Sequence, residues 1–346
     1  GPGDVGLPGN IQHVYPREED IPPHQVEWLR SYLSAASSSF GRGTYPEFFD
    51  VDSAVDFHIL REFAKSQDHF IVSTYFSKPR GRPIHLGPVW DFDRTFGSLG
   101  ADPDIQDPIG WSGLRLSNWW SGFFNQEEFV TQYKQRWQEL RNGRELDLDN
   151  MFAFIDSLAE EIAEAQVRNF QRWQILDPNG GWERELQIIK DYMSARSDWM
   201  DTQLYDPPIP RPAPGLVALP MEIDLMNSAD IGEVYYTLDG SDPKGPENEI
   251  SPSAQLFDSS VVIVEPTRIR ARVLLRPGVW TNETDVLYYD RAPTLAITEI
   301  MYNPTGGDDF EFVELHNHGE TPVRLHGIQW GTARQSMTVS EGPEFL

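Results

Sequence analysis

Ile84-His-Leu-Gly-Pro-Val-Trp-Asp-Phe-Asp93 is the stretch on which the reading of this chain turns. An apolar run ends in two carboxylates separated by one residue. Taken as a strand, its two-residue side-chain period sets Asp91 and Asp93 on one face and Phe92 on the other. Carboxylates that close repel unless a proton or a hard cation lies between them. Oxygen ligands favour Mg²⁺ or Mn²⁺, and Mg²⁺ keeps waters and substrate phosphates as its remaining ligands. By itself an Asp-x-Asp pair is more often a turn cap or a solvated loop, so the neighbouring residues must decide.

Upstream, Ile59-Leu-Arg-Glu-Phe-Ala-Lys-Ser-Gln-Asp68 reads as a helix running into a loop, and Ile71-Val-Ser-Thr-Tyr-Phe76 as a strand. Pro79-Arg-Gly-Arg-Pro83 then turns the chain back into the Asp91 strand. Such a hairpin brings its ends together and sets Asp68 and Asp91 in one cleft. A loop carboxylate facing a metal-binding carboxylate is the layout of phosphoryl transfer: one Asp accepts the hydroxyl proton, the other holds the cation bridging the phosphates.

Downstream, Asn125 and Glu128 form a capping-box start for a helix through Phe129, Tyr133, Trp137 and Leu140. Phe152, Ile155, Leu158, Ile162, Ala165 and Phe170 predict one long helix entered through Asp147 or Asp149. Trp182, Leu186, Ile189, Met193, Arg196 and Met200 predict another, ending near Leu204. These stripes read as core. Asp206-Pro-Pro-Ile-Pro-Arg-Pro-Ala-Pro-Gly215 reads as a stiff, extended linker. Beyond it the period becomes two, in Glu233–Leu238, Val261–Val264, Ile269–Val273 and Val286–Tyr289, which is the rhythm of a β-sandwich. A last strand-rich piece begins near Pro293 and is short for an independent sandwich.

Composition narrows the function classes. The 346 residues hold 28 Lys+Arg against 54 Asp+Glu, a net charge of −26, which disfavours nucleic acid and anionic lipid as partners. There is no cysteine, which removes disulfide scaffolds, Cys-ligated metals and thiol nucleophiles. No run approaches the roughly 18–20 apolar residues of a spanning helix, so membrane insertion is not expected. The N-terminal Gly-Pro-Gly-Asp-Val-Gly has no apolar core of a signal peptide and reads as an internal start.

Lys65-Ser-Gln-Asp68, Ser73-Thr-Tyr-Phe76, Gly87-Pro-Val-Trp-Asp-Phe-Asp93 and Thr95-Phe-Gly97 together resemble the CotH (spore coat protein H) family of atypical protein kinases. Tyr133–Leu140, Phe154–Leu158 and Asn169–Trp173 extend that resemblance over roughly residues 10–205. It implies that Asp68 is the catalytic-loop Asp, Asp91 the metal-binding Asp and Asp93 a further metal-site carboxylate, in the second coordination sphere or on a second metal. It also implies Mg²⁺ (or Mn²⁺), ATP as co-substrate and a protein partner phosphorylated on Ser or Thr. Ser73 lies where ordinary kinases carry a metal-binding Asn, and a hydroxyl is the poorer ligand. A kinase also needs a glycine-rich loop and a strand lysine over the phosphates. Gly41-Arg-Gly43 lacks a third glycine at the right offset. None of Lys65, Lys78, Lys134, Lys190 and Lys244 ends a β-branched strand before the catalytic segment. The nucleotide lobe is therefore expected upstream, and this fragment is expected not to turn over ATP alone.

Val234-Tyr-Tyr-Thr-Leu-Asp-Gly-Ser-Asp-Pro243 resembles the chitobiase/β-hexosaminidase C-terminal sandwich. Ile297–Pro304 and Asp308–Asn317 resemble the lamin-tail domain. The expected fold class is multidomain α+β: a mostly helical, protein-kinase-like C-lobe followed by two Ig-like all-β modules. The expected divisions are 1–205 for the kinase-like part, 206–215 for the linker, 216–290 for the first sandwich and 291–346 for an incomplete second one. Such an assembly implies a secreted or surface-borne bacterial protein, with cell-surface or polysaccharide contact through the β-modules. The competing readings are a non-catalytic pseudokinase-like scaffold and a carbohydrate binder using Trp111, Trp119 and Trp120. Those tryptophans read first as core, His316 and His318 as an exposed pair, and Asp308 with Asp309 as a solvated turn.

Overall fold

Pro22 and Pro23 open the first helix, where a fixed φ and a missing N–H cost nothing. The computed structural model describes residues 11–17, 19–66, 73–98, 103–112, 118–143, 145–173, 181–229, 231–291, 294–302, 311–319, 322–323, 329–332 and 335–338. Helix α1 spans Pro23–Ser39 and α2 spans Val51–Ala64. Asp50 caps α2 by accepting the Ser53 N–H at 3.2 Å, and Lys65 ends it in the left-handed conformation. Nine of its fourteen residues are buried, which makes α2 the axis of the helical part. It starts earlier than the expected Ile59 and stops at Ala64.

A two-residue hairpin follows, β1 (Phe76–Ser77) against β2 (His85–Leu86). The remaining helices are α3 (Pro103–Gln106), α4 (Asn118–Phe124), α5 (Glu127–Asn142), α6 (Leu148–Glu161), α7 (Ala163–Arg172) and α8 (Trp182–Leu204). Helix α5 buries Phe129, Tyr133 and Trp137 as its spacing predicts, but its cap is Gln126 with no side-chain bond, so the Asn125 capping box does not form. Asp147 does cap α6, accepting the Asn150 N–H at 3.0 Å. The expected continuous helix through Phe170 divides at Ile162 into α6 and α7, although no proline or glycine marks the break. Phe40, Tyr45, Phe49, Phe123 and Phe129 form a ring cluster with centroids 4.7–5.8 Å apart. Phe40 is half-buried, and each of the other four, buried rings contributes roughly 1.5–3 kcal/mol of apolar burial.

The proline-rich segment does more than link. Its Ile209–Arg211 forms β3 and its last glycine begins β4 (Gly215–Leu216). Strands β5 (Met221–Met226), β6 (Glu233–Thr237), β7 (Gln255–Leu256), β8 (Val261–Ile263), β9 (Thr267–Arg276), β10 (Val279–Trp280) and β11 (Thr284–Tyr289) complete two sheets. One sheet has the order β3-β5-β8; the other runs β4-β11-β9-β6-β7, with β10 on β9. Strand β9 alternates strictly, with Ile269, Ala271 and Val273 buried. Its outward Arg268, Arg270 and Arg272 pair with Asp285, Glu283 and Asp242 at 2.6–2.8 Å.

After this the chain forms two separate hairpins, β12 (Leu295–Met301) with β13 (Phe312–Asn317) and β14 (Gln329–Thr332) with β15 (Gln335–Thr338). No residue of β12 or β13 is buried. The described residues therefore form a mixed α/β chain with several small sheets, and a second Ig-like core is not among them. A two-stranded hairpin such as β12–β13, with no buried residue, has too little packed against it to make one.

The helical and β parts meet at the end of α8. Asp201, 1% exposed, accepts from the Trp137 indole at 2.7 Å and from Arg141, and it pairs with Arg276 of β9 at 2.7 Å. Arg276 also bonds Asp198. A buried carboxylate is tolerated only when it is paired and hydrogen-bonded in this way.

Candidate functional site

The site is built from the end of α2. Lys65 turns left-handed with φ 44°, and its buried side chain sends Nζ to the carbonyls of Asp107 and Ile109 at 2.8 and 2.7 Å. Asp68 and His69 lie outside the described residues. The chain is described again from Ser73, which has φ 54°. It enters β1, turns with the Arg82 N–H on Pro79 O, and returns through Ile84, whose N–H bonds Phe48 O at 2.7 Å. The hairpin is thereby fastened beside the start of α2, where the Leu86 N–H also bonds Ser53 Oγ. His85 lies 3.0 Å from Asp50, and that contact, outweighing slight burial, holds the Asp50 carboxyl below its ordinary range.

The Asp91 stretch is not a strand. Regular pairing ends at Leu86, one further backbone bond joins the Gly87 N–H to Tyr75 O, and Asp91 itself has φ 66°. The expectation that strand alternation orients Asp91 and Asp93 is therefore corrected. Both carboxylates face solvent, with Phe92 turned inward between them, for another reason: the Phe92 ring lies 5.0 Å from the Arg61 guanidinium. The path then returns to α2, with the Phe96 N–H on Ala64 O at 2.9 Å. Gly97 closes it at φ 75°, where a Cβ would stand 2.6 Å from the Tyr192 ring.

The centre of the site is a contact between the two arms of the hairpin. Ser73 Oγ donates to Asp91 Oδ2 at 2.8 Å. Arg61, fully buried, donates from Nη2 to Ser73 O and to Trp90 O, the latter at 3.0 Å. Beneath it, Glu62 and Arg196 pair at 2.8 Å with no exposure of either side chain. Burial alone would raise the Glu62 carboxyl, but the charges of His58 and Arg196 and two bonds from Ser112 hold it low. The same burial pushes the Tyr133 hydroxyl, 3.1 Å from His58, well above its ordinary value.

What this set offers chemically is oxygen. Asp91, Asp93 and the Ser73 hydroxyl are hard donors at an exposed edge, and among the described residues no third carboxylate or imidazole joins them. A cation held by one or two carboxylates and otherwise by water and phosphate suits Mg²⁺ better than a full protein cage would suit it. The sequence reading brought out Asp91 and the hairpin but missed Arg61 and the Glu62–Arg196 pair. An Arg-Glu pair inside an otherwise apolar helix was the available signal, since such charges are buried only when partnered. The tryptophans expected as core are engaged: Trp120 is 4% exposed, Trp111 packs edge-on to Trp199, and Trp119 donates to Ser37 Oγ. His316 and His318 sit ring to ring, 4.5 Å apart, and both are exposed.

No curated protein and no solved structure matches the chain. The family described as CotH kinase protein matches residues 14–200, which includes every residue of the site just described. With more than half of the chain matched, and the matched part holding the Ser73–Asp91 contact and both of its supports on α2, the chain belongs to the CotH kinase protein family.

Proposed function

We propose that residues 14–200 carry the phosphate-transferring half of an atypical protein kinase, acting from ATP on Ser or Thr of a protein. The observation that supports this reading is Asp91, held exposed at the mouth of the hairpin with Ser73 against one carboxylate oxygen. In this reading Asp91, with Asp93 beside it, holds Mg²⁺ or Mn²⁺, and Asp68 accepts the proton of the attacking hydroxyl. Bound there, the cation would neutralise charge on the transferring phosphate. The protein's part is to fix the carboxylates in place and to keep them reachable. The test is Mn²⁺ binding by the 346-residue chain, followed by electron paramagnetic resonance, with and without ATP. Asp91→Ala should abolish binding; binding equal to wild type would remove the assignment.

A second reading, a non-catalytic surface scaffold, draws on the lysines. Lys65 is bound to two carbonyls, Lys78 lies over the Trp28 and Tyr32 rings, and Lys134 and Lys190 are paired with Asp206 and Asp156. Such engagement suits structure better than a phosphate grip. Under either reading, residues 216–290 and 291–346 serve as chitobiase-C-terminal-like and lamin-tail-like modules for display outside the cell. No helix among the described residues is long and apolar enough to cross a membrane.

A further inference from the structure

Ser73 and Asp91 both stand in conformations that side-chain-bearing residues rarely adopt, at φ 54° and 66°. Such backbone persists only where the surroundings over-determine it. The hairpin ladder does not supply that restraint: its two pairs, Phe76↔Leu86 and Ser77↔His85, end before either residue. The restraint lies on α2. Arg61 is 0% exposed, and its Nη2 donates to the carbonyl of Ser73 and to that of Trp90, the residue before Asp91. Its guanidinium carbon lies over two rings, Phe57 one helical turn earlier at 5.3 Å and Phe92 at 5.0 Å. One cation on a rigid helix thus grips both arms of the site by their backbones and also seats the ring between Asp91 and Asp93. A planar guanidinium can lay its face on rings while one of its nitrogens donates to two carbonyls. A lysine ammonium can bind two carbonyls, as Lys65 does, but has no planar face to lay on the rings at the same time.

We infer that Arg61 is the positioning residue of the Asp91 loop: it sets the two carboxylates outward and brings the Ser73 hydroxyl to Asp91, without touching metal or substrate itself. The functional part of this inference rests on Asp91 being the cation-binding carboxylate. The mechanical part does not.

The two parts separate in one experiment on the full 346-residue chain, comparing wild type with Arg61→Lys. Hydrogen–deuterium exchange should speed up at least tenfold in peptides covering 73–77 and 87–93, while peptides of α5 and α8 stay unchanged. Mn²⁺ affinity, read by electron paramagnetic resonance, should fall by about tenfold or more, the usual cost of losing a group that orients a ligand. Unchanged exchange, or an equal rise throughout the helical part, would overturn the inference. If wild type takes up no Mn²⁺ yet the two segments loosen in the variant, the phosphotransfer reading falls and the positioning role stands. Where Arg61→Lys does not fold, Phe92→Leu makes the same comparison from the loop side. Loss of the fold in both variants would make the contact a general core element and overturn the proposal.

Discussion

The carboxylate of Glu62 meets the guanidinium of Arg196 at 2.8 Å, and neither side chain has any exposure. The pair joins α2 to α8 at the level of the candidate site. Arg196 continues to the carbonyls of Pro108 and Gly110, at 2.8 and 2.7 Å, while Glu62 accepts from Ser112. Lys65 binds the alternate carbonyls of the same segment, those of Asp107 and Ile109. The floor under the Asp91 loop is therefore polar and buried, with its charges paired between elements. In such a network the loss of one member strands the others.

Removing one partner should be costly. Glu62→Ala leaves the Arg196 charge buried with only carbonyls and the Trp199 ring around it, and we expect a loss of about 3–5 kcal/mol. Urea unfolding of the variant against wild type checks this. A loss below about 1 kcal/mol would mean that water reaches the pair.

Acid should act through the same residue. The Glu62 carboxyl titrates below its ordinary range in the fold, so its contribution is complete above the unfolded value and disappears as pH falls through the folded one. Asp50, lowered by His85, acts in the same direction. Relief of repulsion at a net charge of −26 works the other way, so wild-type melting alone mixes two effects. The difference in melting temperature between wild type and Glu62→Gln isolates the first. It should be constant from pH 7 to about pH 5 and shrink below about pH 4. A difference that widens on acidification would contradict the assignment.

Between the two halves, Arg276→Ala removes the β-sheet's pairing with Asp198 and Asp201. Asp201 keeps Trp137 and Arg141, so it is not stranded, and the expected cost is about 1.5–3 kcal/mol, that of a charged hydrogen bond. Differential scanning calorimetry should then resolve two transitions, one for the helical part and one for the sheets. A single unshifted transition would show that this contact does not couple them.

Gly97→Ala tests the closure of the loop. The position combines φ 75° with a Tyr192 ring atom 2.6 Å from where a Cβ would stand, and the Tyr192 hydroxyl is itself held by Ile105 O at 3.0 Å. The ring cannot swing away without losing that bond, so destabilisation of about 1–3 kcal/mol is expected from chemical unfolding. A neutral result would mean that the ring yields freely.

Helices whose apolar spacing is uninterrupted were legible from residues alone. Trp182–Leu204 and the Phe129-Tyr133-Trp137 face of α5 fold as their period demands, and so does the alternation of β9. The break at Ile162 was not legible, because the same spacing runs through it. Nor was the role of the proline segment: nothing local says that Ile209–Arg211 will pair with Asp224–Met226.

The site divides along the same line. The sequence by itself determined which oxygens are available, the acidic pair around Phe92 and the serine of the preceding arm, and that a turn at Pro79–Pro83 would bring the arms back together. It suggested a strand for Asp91 because an apolar run ending in Asp-Phe-Asp carries that period. Only the tertiary structure decided otherwise. The carboxylates point outward because Phe92 is drawn onto Arg61, a cation thirty-one residues earlier whose burial depends on two carbonyls that the folded chain brings to it. Periodicity is a property of neighbours along the chain; a buried charge finds its partners only in space.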